Sequence, residues 1–205
     1  MNEPVVVTAP ADVPVSLSEL KVHLRVDDDT EDALLGAMIK GATENAELYL
    51  GRSLITQTLR LGLDRWPAGR AGLPWCSGPR IVELARPPVQ SILSATTYDD
   101  DDQATVVDTA VYRLANGSND RARLVLRKGE SWPVSLRATD AIEIDYVAGY
   151  GDSSADIPEP IRQGILALIG CWFEHRDGAG WETAQPPLPV GAVTLWRPYR
   201  LIGLA

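Results

Sequence analysis

The chain has 205 residues and a formal net charge of −9, because 28 acidic residues outnumber 19 basic ones. Its hydrophobic content of 45% suits a folded protein with a real core, which needs neither a metal nor disulfides to hold it. A protein that grips nucleic acid by neutralising phosphates is usually basic, so the charge argues against that class. An acidic protein could instead line a passage through which DNA slides, because like charges repel each other.

The cysteines and the apolar runs indicate where the protein is made. Cys76 lies in a Gly- and Pro-rich stretch and Cys171 in an apolar helical pattern, which argues against a disulfide framework. Residues 1–4 lack the pattern of a signal peptide. The longest apolar run, over residues 164–173, is half of a bilayer span. We therefore expect an intracellular site of synthesis and no membrane segment.

The first part of the chain predicts an arm followed by two helices. Residues 1–16 are rich in Pro and Val without a clear period, which predicts an extended arm. Ser16 and Glu19 have the spacing of a capping box at the start of a short helix. A second helix is predicted over residues 30–50, with Gly51 as its terminating residue. Its apolar stripe consists of Leu35, Ile39, Ala42, Ala46 and Tyr49.

A β region is predicted over residues 54–150, where the apolar period changes. The predicted strands cover residues 55–61, 80–84, 89–98, 106–107, 111–114, 121–126 and 141–147. Residues 66–79 are rich in Gly and Pro and predict a loop, Asp99–Asp102 predicts a solvated turn, and Asn116-Gly117 predicts a hairpin.

A third helix is predicted over residues 156–178, and it is apolar almost all round. Such a helix is buried, inside the subunit or between subunits. We assign it to a subunit interface. Its candidate interface residues are Ile161, Ile165, Leu168, Ile169, Trp172 and Phe173.

The last segment, residues 179–205, contains several prolines and predicts an extended tail. Large apolar and basic side chains are typical anchors of interfaces, so we expect the tail to dock on a partner. The alternative is a tail that folds back onto its own domain. The candidate docking residues are Leu195, Trp196, Arg197, Pro198, Tyr199, Arg200 and Leu201.

The order of these elements defines the expected fold class. Helices over residues 17–53 and 156–178 pack into one bundle, and the strands of residues 54–150 form a small antiparallel sheet region inserted between them. The expected class is therefore α+β, with an extended C-terminal tail.

Catalytic and metal-binding motifs are not found in the sequence. Cys171 and His175 could begin a metal site, but a structural zinc site needs two further ligands. Asp99 does not begin a calcium loop, because Ala104 and Ala110 stand where that loop needs Gly and Glu. We interpret the acids of residues 27–32 as mostly helix capping. We expect no enzyme, no cofactor and no metal.

Basic residues collect on and after one predicted strand, namely Arg121, Arg123, Arg127 and Lys128. A nucleic-acid stripe is one interpretation. Because no aromatic residues interleave with them, an exposed sheet face or salt bridges between subunits is the favoured one.

Five segments, in the same order, resemble phage head–tail connector (adaptor) proteins. Residues 17–27 (LSELKVHLRVD) and 51–58 (GRSLITQT) resemble the family's opening helices. Residues 146–152 (YVAGYGD) and 157–165 (IPEPIRQGI) resemble its sheet-to-helix junction. Residues 196–200 (WRPYR) are similar to its Pro-Tyr-Arg ending.

The resemblance implies a ring, usually of twelve subunits, beneath the portal protein at the neck of a virus or gene transfer agent. It implies that the C-terminal segment reaches the portal, that stopper or tail-terminator proteins attach below, and that DNA passes through the lumen without sequence-specific binding. Deletion of Leu195–Ala205 should then block attachment without unfolding the subunit. The alternatives are a nucleic-acid-binding packaging factor and a stopper or tail-completion protein of the same neck.

Overall fold

The computed structural model describes residues 3–67, 81–116, 121–175 and 188–201. Several sequence predictions fall outside these ranges. They concern residues 68–79 of the predicted loop with Cys76, Gly117 of the predicted hairpin, and residues 179–187 and 202–205 of the predicted tail.

The chain divides into two compact units. The β unit comprises Met1–Pro10 and Thr56–Gly149, and the helical unit comprises Ala11–Ile55 and Tyr150–Ala205. Helices and antiparallel sheets occur together, which confirms the α+β class.

The helical unit contains α1 (Leu17–Leu24), α2 (Asp32–Leu50), α3 (Glu159–Glu174) and α4 (Val190–Trp196). One of the two hydrogen bonds of the predicted capping box at the start of α1 is confirmed. The Ser16 hydroxyl accepts a hydrogen bond from the backbone N–H of Glu19 (3.2 Å), but the Glu19 carboxylate binds Arg162 instead of completing a capping box. Helix α2 ends as predicted at Gly51, whose φ of 69° suits a residue without a side chain.

One apolar core holds the helical unit together. The predicted stripe of α2 contributes to it, with Leu50 buried and Tyr49 half-buried. Helix α3 lies in the same core, and α4 adds Ala192 and Trp196. The fully buried large side chains of this core include Leu20, Leu35, Leu50, Leu54, Ile161, Ile165, Ile169 and Trp196.

The strands of the β unit are β1 (Val5–Thr8), β2 (Gln57–Leu63), β3 (Ile81–Glu83), β4 (Val89–Tyr98), β5 (Ala104–Val106), β6 (Tyr112–Asn116), β7 (Ala122–Leu126) and β8 (Ile142–Ala148). They form a five-stranded sheet in the order β1-β2-β8-β4-β5 and a three-stranded sheet in the order β3-β7-β6. All pairings are antiparallel. Side chains alternate between core and solvent along β7 and β8, as the sequence pattern predicts.

The predicted extended N-terminal arm contains an edge strand over Val5–Thr8, which the sequence analysis did not predict. Strand β1 pairs with β2 so that Val5 lies opposite Arg60. A β-branched run favours a strand once a partner is available, but that partner lies some fifty residues further along the chain.

Candidate interaction surfaces

Trp196 packs into a slot on the surface of α3. Its side chain is fully buried, and its indole N–H donates a hydrogen bond to the carbonyl of Ile161 (3.0 Å). A β-carbon at position 164 would lie 2.1 Å from the indole nitrogen, so the slot exists only because residue 164 is glycine. The Tyr49 ring closes the other side, with a centroid distance of 5.7 Å.

The residues after Trp196 continue along the end of α2. The guanidinium of Arg52 donates to the carbonyl of Tyr199 (2.6 Å), and the N–H of Leu201 donates to the carbonyl of Leu50 (2.9 Å). The guanidinium of Arg200 lies 4.9 Å from the centroid of the Tyr49 ring, a cation–π contact. Residues 196–201 are therefore held by their own helical unit.

The expectation of an extended C-terminal tail is wrong over Val190–Tyr199. Helix α4 is followed by a 3₁₀ turn over Arg197–Tyr199. Pro189 directly precedes the helix and Pro198 follows it, which are positions where proline is tolerated. The seven residues of α4 bury Ala192 and Trp196, and this burial stabilises an otherwise short helix.

This geometry divides the predicted docking residues into two groups. Trp196 is a core residue and offers no surface to a partner, while Tyr199 and Leu201 are half-buried. The exposed members are Leu195, Arg197, Pro198 and Arg200. The prediction that residues 195–205 can be deleted without harm to the fold is therefore corrected, because the deletion would remove Trp196 from its slot.

The interface prediction for α3 needs a similar correction. Ile161, Ile165, Leu168 and Ile169 are at most 1% exposed, and the core of their own chain covers them. They need no neighbouring subunit to hide them. Trp172 and Phe173 are only half-buried, and the Trp172 ring lies over Gly41 of α2. For Trp172 and Phe173, the subunit interface therefore stays a prediction.

Exposed apolar side chains occur elsewhere in the helical unit. Leu48 on α2 is 73% exposed, Val22 on α1 is 80% exposed, and Val190 on α4 is 82% exposed. The sequence analysis did not predict these exposed positions. Single leucines or valines are common on the surfaces of monomeric proteins, so they carry no distinguishing signal.

Arg162 ties α1 to α3 and was also missed at the sequence level. Its guanidinium bonds the Glu19 carboxylate (2.7 Å), the Glu159 carboxylate (2.6 Å) and the carbonyl of Pro14 (3.0 Å). A hydrogen bond from Gln163, together with the charge of Arg162, lowers the pKa of Glu159. The cluster is a structural clamp within the helical unit.

A basic sheet face, defined by Arg113, Arg121 and Arg123, lies on the three-stranded sheet of the β unit. Along β7, Ala122, Leu124 and Leu126 point into the core, so Arg121 and Arg123 occupy the other side. Arg113 on β6 lies opposite Val125 of β7 and is exposed. The predicted exposed sheet face therefore includes Arg113, which the sequence analysis omitted.

The polar groups considered for chemistry serve the fold. A ring nitrogen of His175 contacts the carbonyl of Cys171 at 2.9 Å, as a helix-end interaction. The Asp99 carboxylate accepts from the N–H groups of Asp101 and Gln103 within its turn. Within the described ranges there is no group of three or more His, Cys, Asp or Glu side chains suited to a metal ion. No helix among them has the length and hydropathy needed to span a bilayer.

Residues 14–72 match the family described as phage gp6-like head–tail connector protein. This match confirms the resemblance found in the opening helices.

Solved structures match the chain over nearly its whole length. A chain in the neck of an empty gene transfer agent particle, computed with C6 symmetry, has a TM-score of 0.77 at 24% identity, covering 99% of this chain and 97% of that chain. A chain in the neck of the native particle, computed with C12 symmetry, has a TM-score of 0.75 at 23% identity, covering 99% and 97%. A chain in the native virion has a TM-score of 0.74 at 23% identity, covering 98% and 97%. At these identities the likeness shows a shared fold. No curated protein matches the chain.

Proposed function

We propose that this chain is a structural adaptor subunit in the neck of a tailed phage or gene transfer agent. Copies of it form a ring under the portal, join the capsid to the tail and let DNA pass through the lumen. The observation that carries the proposal is the likeness of the entire chain to neck chains, combined with the connector match over residues 14–72.

The ring and its copy number rest on two supports. The similar neck structures were computed with C6 and C12 symmetry, and twelve copies satisfy both operators. A ring also needs two different contact surfaces on each subunit. The exposed Leu48 and Val22 of the helical unit are apolar side chains that a contact between subunits would cover.

The portal contact is assigned to the exposed side of the C-terminal segment. Leu195, Arg197, Pro198 and Arg200 present an apolar and basic surface, while Trp196 anchors the segment from below. A surface held in place before binding loses less conformational entropy than a free tail does, which favours affinity.

Electron microscopy of particles that carry a tagged copy of the chain tests its location. We expect the tag between the portal and the tail, and we expect cells without the chain to accumulate DNA-filled heads that lack tails. Density at any other site, or normal tail joining without the chain, would refute the proposed function.

The docking surface is tested with L195A/R197E, which changes only exposed side chains. We expect a normally folded subunit that fails to join portal-bearing heads. The matched control is V190A/T194A, which changes two exposed residues at the start and middle of the same short helix. If L195A/R197E joins heads as well as the control does, the C-terminal segment is not the portal contact.

A further inference from the structure

The basic sheet face is a local exception on an acidic chain. Its three arginines share the outer side of the three-stranded sheet, whereas the whole chain has a net charge of −9. Arg127 and Lys128, both exposed, follow at the end of β7. The acid of this face is Glu83, which lies opposite Arg123 and 4.0 Å from the Arg121 guanidinium. The face therefore keeps a clear positive excess.

The β unit also has an acidic turn, defined by Asp99–Asp102 between β4 and β5. Asp99 is used within the turn as a backbone acceptor, and Asp102 binds Arg137 at 2.9 Å. Asp100 and Asp101 are exposed at its tip. The carboxylates of Asp100 and Asp101 are thus exposed on a turn that contacts of Asp99 and Asp102 hold in place.

Arg121 and Arg123 of the basic sheet face lie at the opposite end of β4 from the acidic turn. The side chain of Asn116 donates to the carbonyl of Val89 (3.1 Å), so the β6–β7 end with Arg121 and Arg123 lies beside the start of β4. The acidic turn follows the last residue of β4, nine residues later. A rise of about 3.3 Å per residue separates the two ends by about 30 Å. The arginines at the start of β4 and the acidic tip therefore cannot pair within one chain.

Assembly into a ring poses an electrostatic problem for this chain. Every copy has a charge of −9, so copies brought side by side repel each other unless opposite charges meet at the contact. A ring contact joins one surface to a different surface of the next copy. A positive surface and a negative surface on one unit satisfy that requirement.

We propose that the basic sheet face of one copy binds the acidic turn of the next copy. The proposal rests on the proposed function, because it assumes that copies of the chain assemble in a ring. Arg113 and Arg123 are the cationic residues of the contact, and Asp100 and Asp101 are the acidic ones. The pairs lie near the surface, so the contact chiefly selects the correct neighbour and orientation and weakens with salt.

The composition of the face favours a protein surface over duplex DNA as its occupant. Glu83 stands directly opposite Arg123, where it would repel a phosphate. Ile81 is 42% exposed and pairs with Val125, and both lie on the outer side of the same sheet. Apolar side chains between charged ones are typical of protein–protein contacts.

The test reverses each side of the contact in particles made by cells that encode only the variant chain. R113E/R123E and D100R/D101R are made separately and then combined. The control is R65E/K40E, which makes the same charge change as R113E/R123E at two exposed positions that are not part of the basic sheet face. The readout is the number of copies of the chain per particle, measured by quantitative mass spectrometry, with circular dichroism of each purified variant as the check on folding.

We expect each one-sided reversal to reduce the copies per particle about tenfold or more, and the combined variant to recover most of the loss. The control should assemble normally. Normal assembly of R113E/R123E or of D100R/D101R overturns the proposal, and so does a combined variant that stays as defective as its parents. Loss of duplex binding by R113E/R123E with unchanged assembly would instead assign the face to nucleic acid. If the unaltered chain is not in the neck at all, the proposed function fails before this contact is at issue.

Discussion

The indole of Trp196 occupies the space above α3 that a side chain at position 164 would need. The indole nitrogen lies 2.1 Å from the ideal β-carbon position of Gly164, and the same nitrogen donates to the carbonyl of Ile161. One glycine thus allows the C-terminal segment to approach the helix backbone and to make a hydrogen bond there. The C-terminal segment is consequently part of the helical core, and this relationship leads to the first prediction.

Replacement of Gly164 by alanine should destabilise the helical unit. Alanine favours a helix over glycine by up to about 1 kcal/mol. Here, however, its methyl group would overlap the indole, displace Trp196 and break the bond to Ile161. Overpacking of this kind costs about 1–3 kcal/mol. The free energy of unfolding from urea titration, followed at 222 nm, measures the net effect.

The matched control is Gly36→Ala in α2. Apart from its chain neighbours and the adjacent backbone of α2, no atom lies within 4 Å of a β-carbon at that position. The helix propensity therefore acts alone, and the variant should be slightly more stable than the parent chain. Equal stabilisation by both substitutions would contradict the packing of Trp196 against Gly164.

The ion pair between Arg162 and Glu19 should show a measurable coupling energy. The side chains are 16% and 31% exposed, and two short contacts of 2.7 Å join the guanidinium to the carboxylate. A double-mutant cycle with R162M and E19Q should give a coupling of about 1–3 kcal/mol, because the pair is partly shielded from water and charge-assisted. Surface pairs usually contribute less.

The pair of Arg162 with Glu159 provides the comparison for that cycle. Glu159 is 57% exposed, so its coupling to Arg162 should be smaller in the same measurement with R162M and E159Q. If the two couplings are equal, the lower exposure of Glu19 does not strengthen its pair with Arg162.

Trp132 should be essential to the β unit although it lies in a segment without helix or strand. Its ring stacks on Trp66 at a centroid distance of 4.0 Å and an interplanar angle of 12°. The Trp66 indole in turn donates to the carbonyl of Pro133 (3.1 Å). W132A should cost about 3–5 kcal/mol and remove near-ultraviolet circular dichroism. V134A, at a side chain that is 91% exposed, should do neither.

The sequence predicts helices and strands well where the spacing of apolar residues and the capping or turn residues indicate the same bounds. The α2 stripe, the β4 bounds and the cap at Ser16 were predicted from local patterns, because helix and strand periods are written into neighbouring residues. The same patterns could not show that β1 pairs with β2, since that contact depends on residues far apart in the chain.

The candidate surfaces were harder to predict for a physical reason. The apolar surface of a helix such as α3 must be buried. Its residue pattern does not tell whether side chains of the same chain or of a neighbouring subunit bury it. Trp196, 35 residues after Ile161, buries part of this surface. The signal was present in Gly164, a glycine within an apolar helix, which often marks close packing.

Asp156 gives the last prediction, which concerns pH. Hydrogen bonds from the side chain and the backbone of Ser153 lower the pKa of its carboxyl group below the ordinary value of 3.8. A group whose pKa is lower in the folded state adds stability at pH values above its unfolded pKa, and this stability disappears as the pH falls through the folded value. D156N should therefore lower the Tm at pH 7, and the difference from the parent chain should shrink between about pH 4 and pH 2.

Thermal unfolding followed by circular dichroism at a series of pH values measures this difference. The control is D152N, at an exposed carboxylate four residues earlier, and it should run parallel to the parent curve. Asp156 and Ser153 form a capping box on the 3₁₀ turn Ser154–Asp156, which precedes α3, so the carboxylate orders that turn. Curves for D156N and the parent chain that stay equally far apart down to pH 2 would mean that the carboxylate charge has no part in ordering that turn.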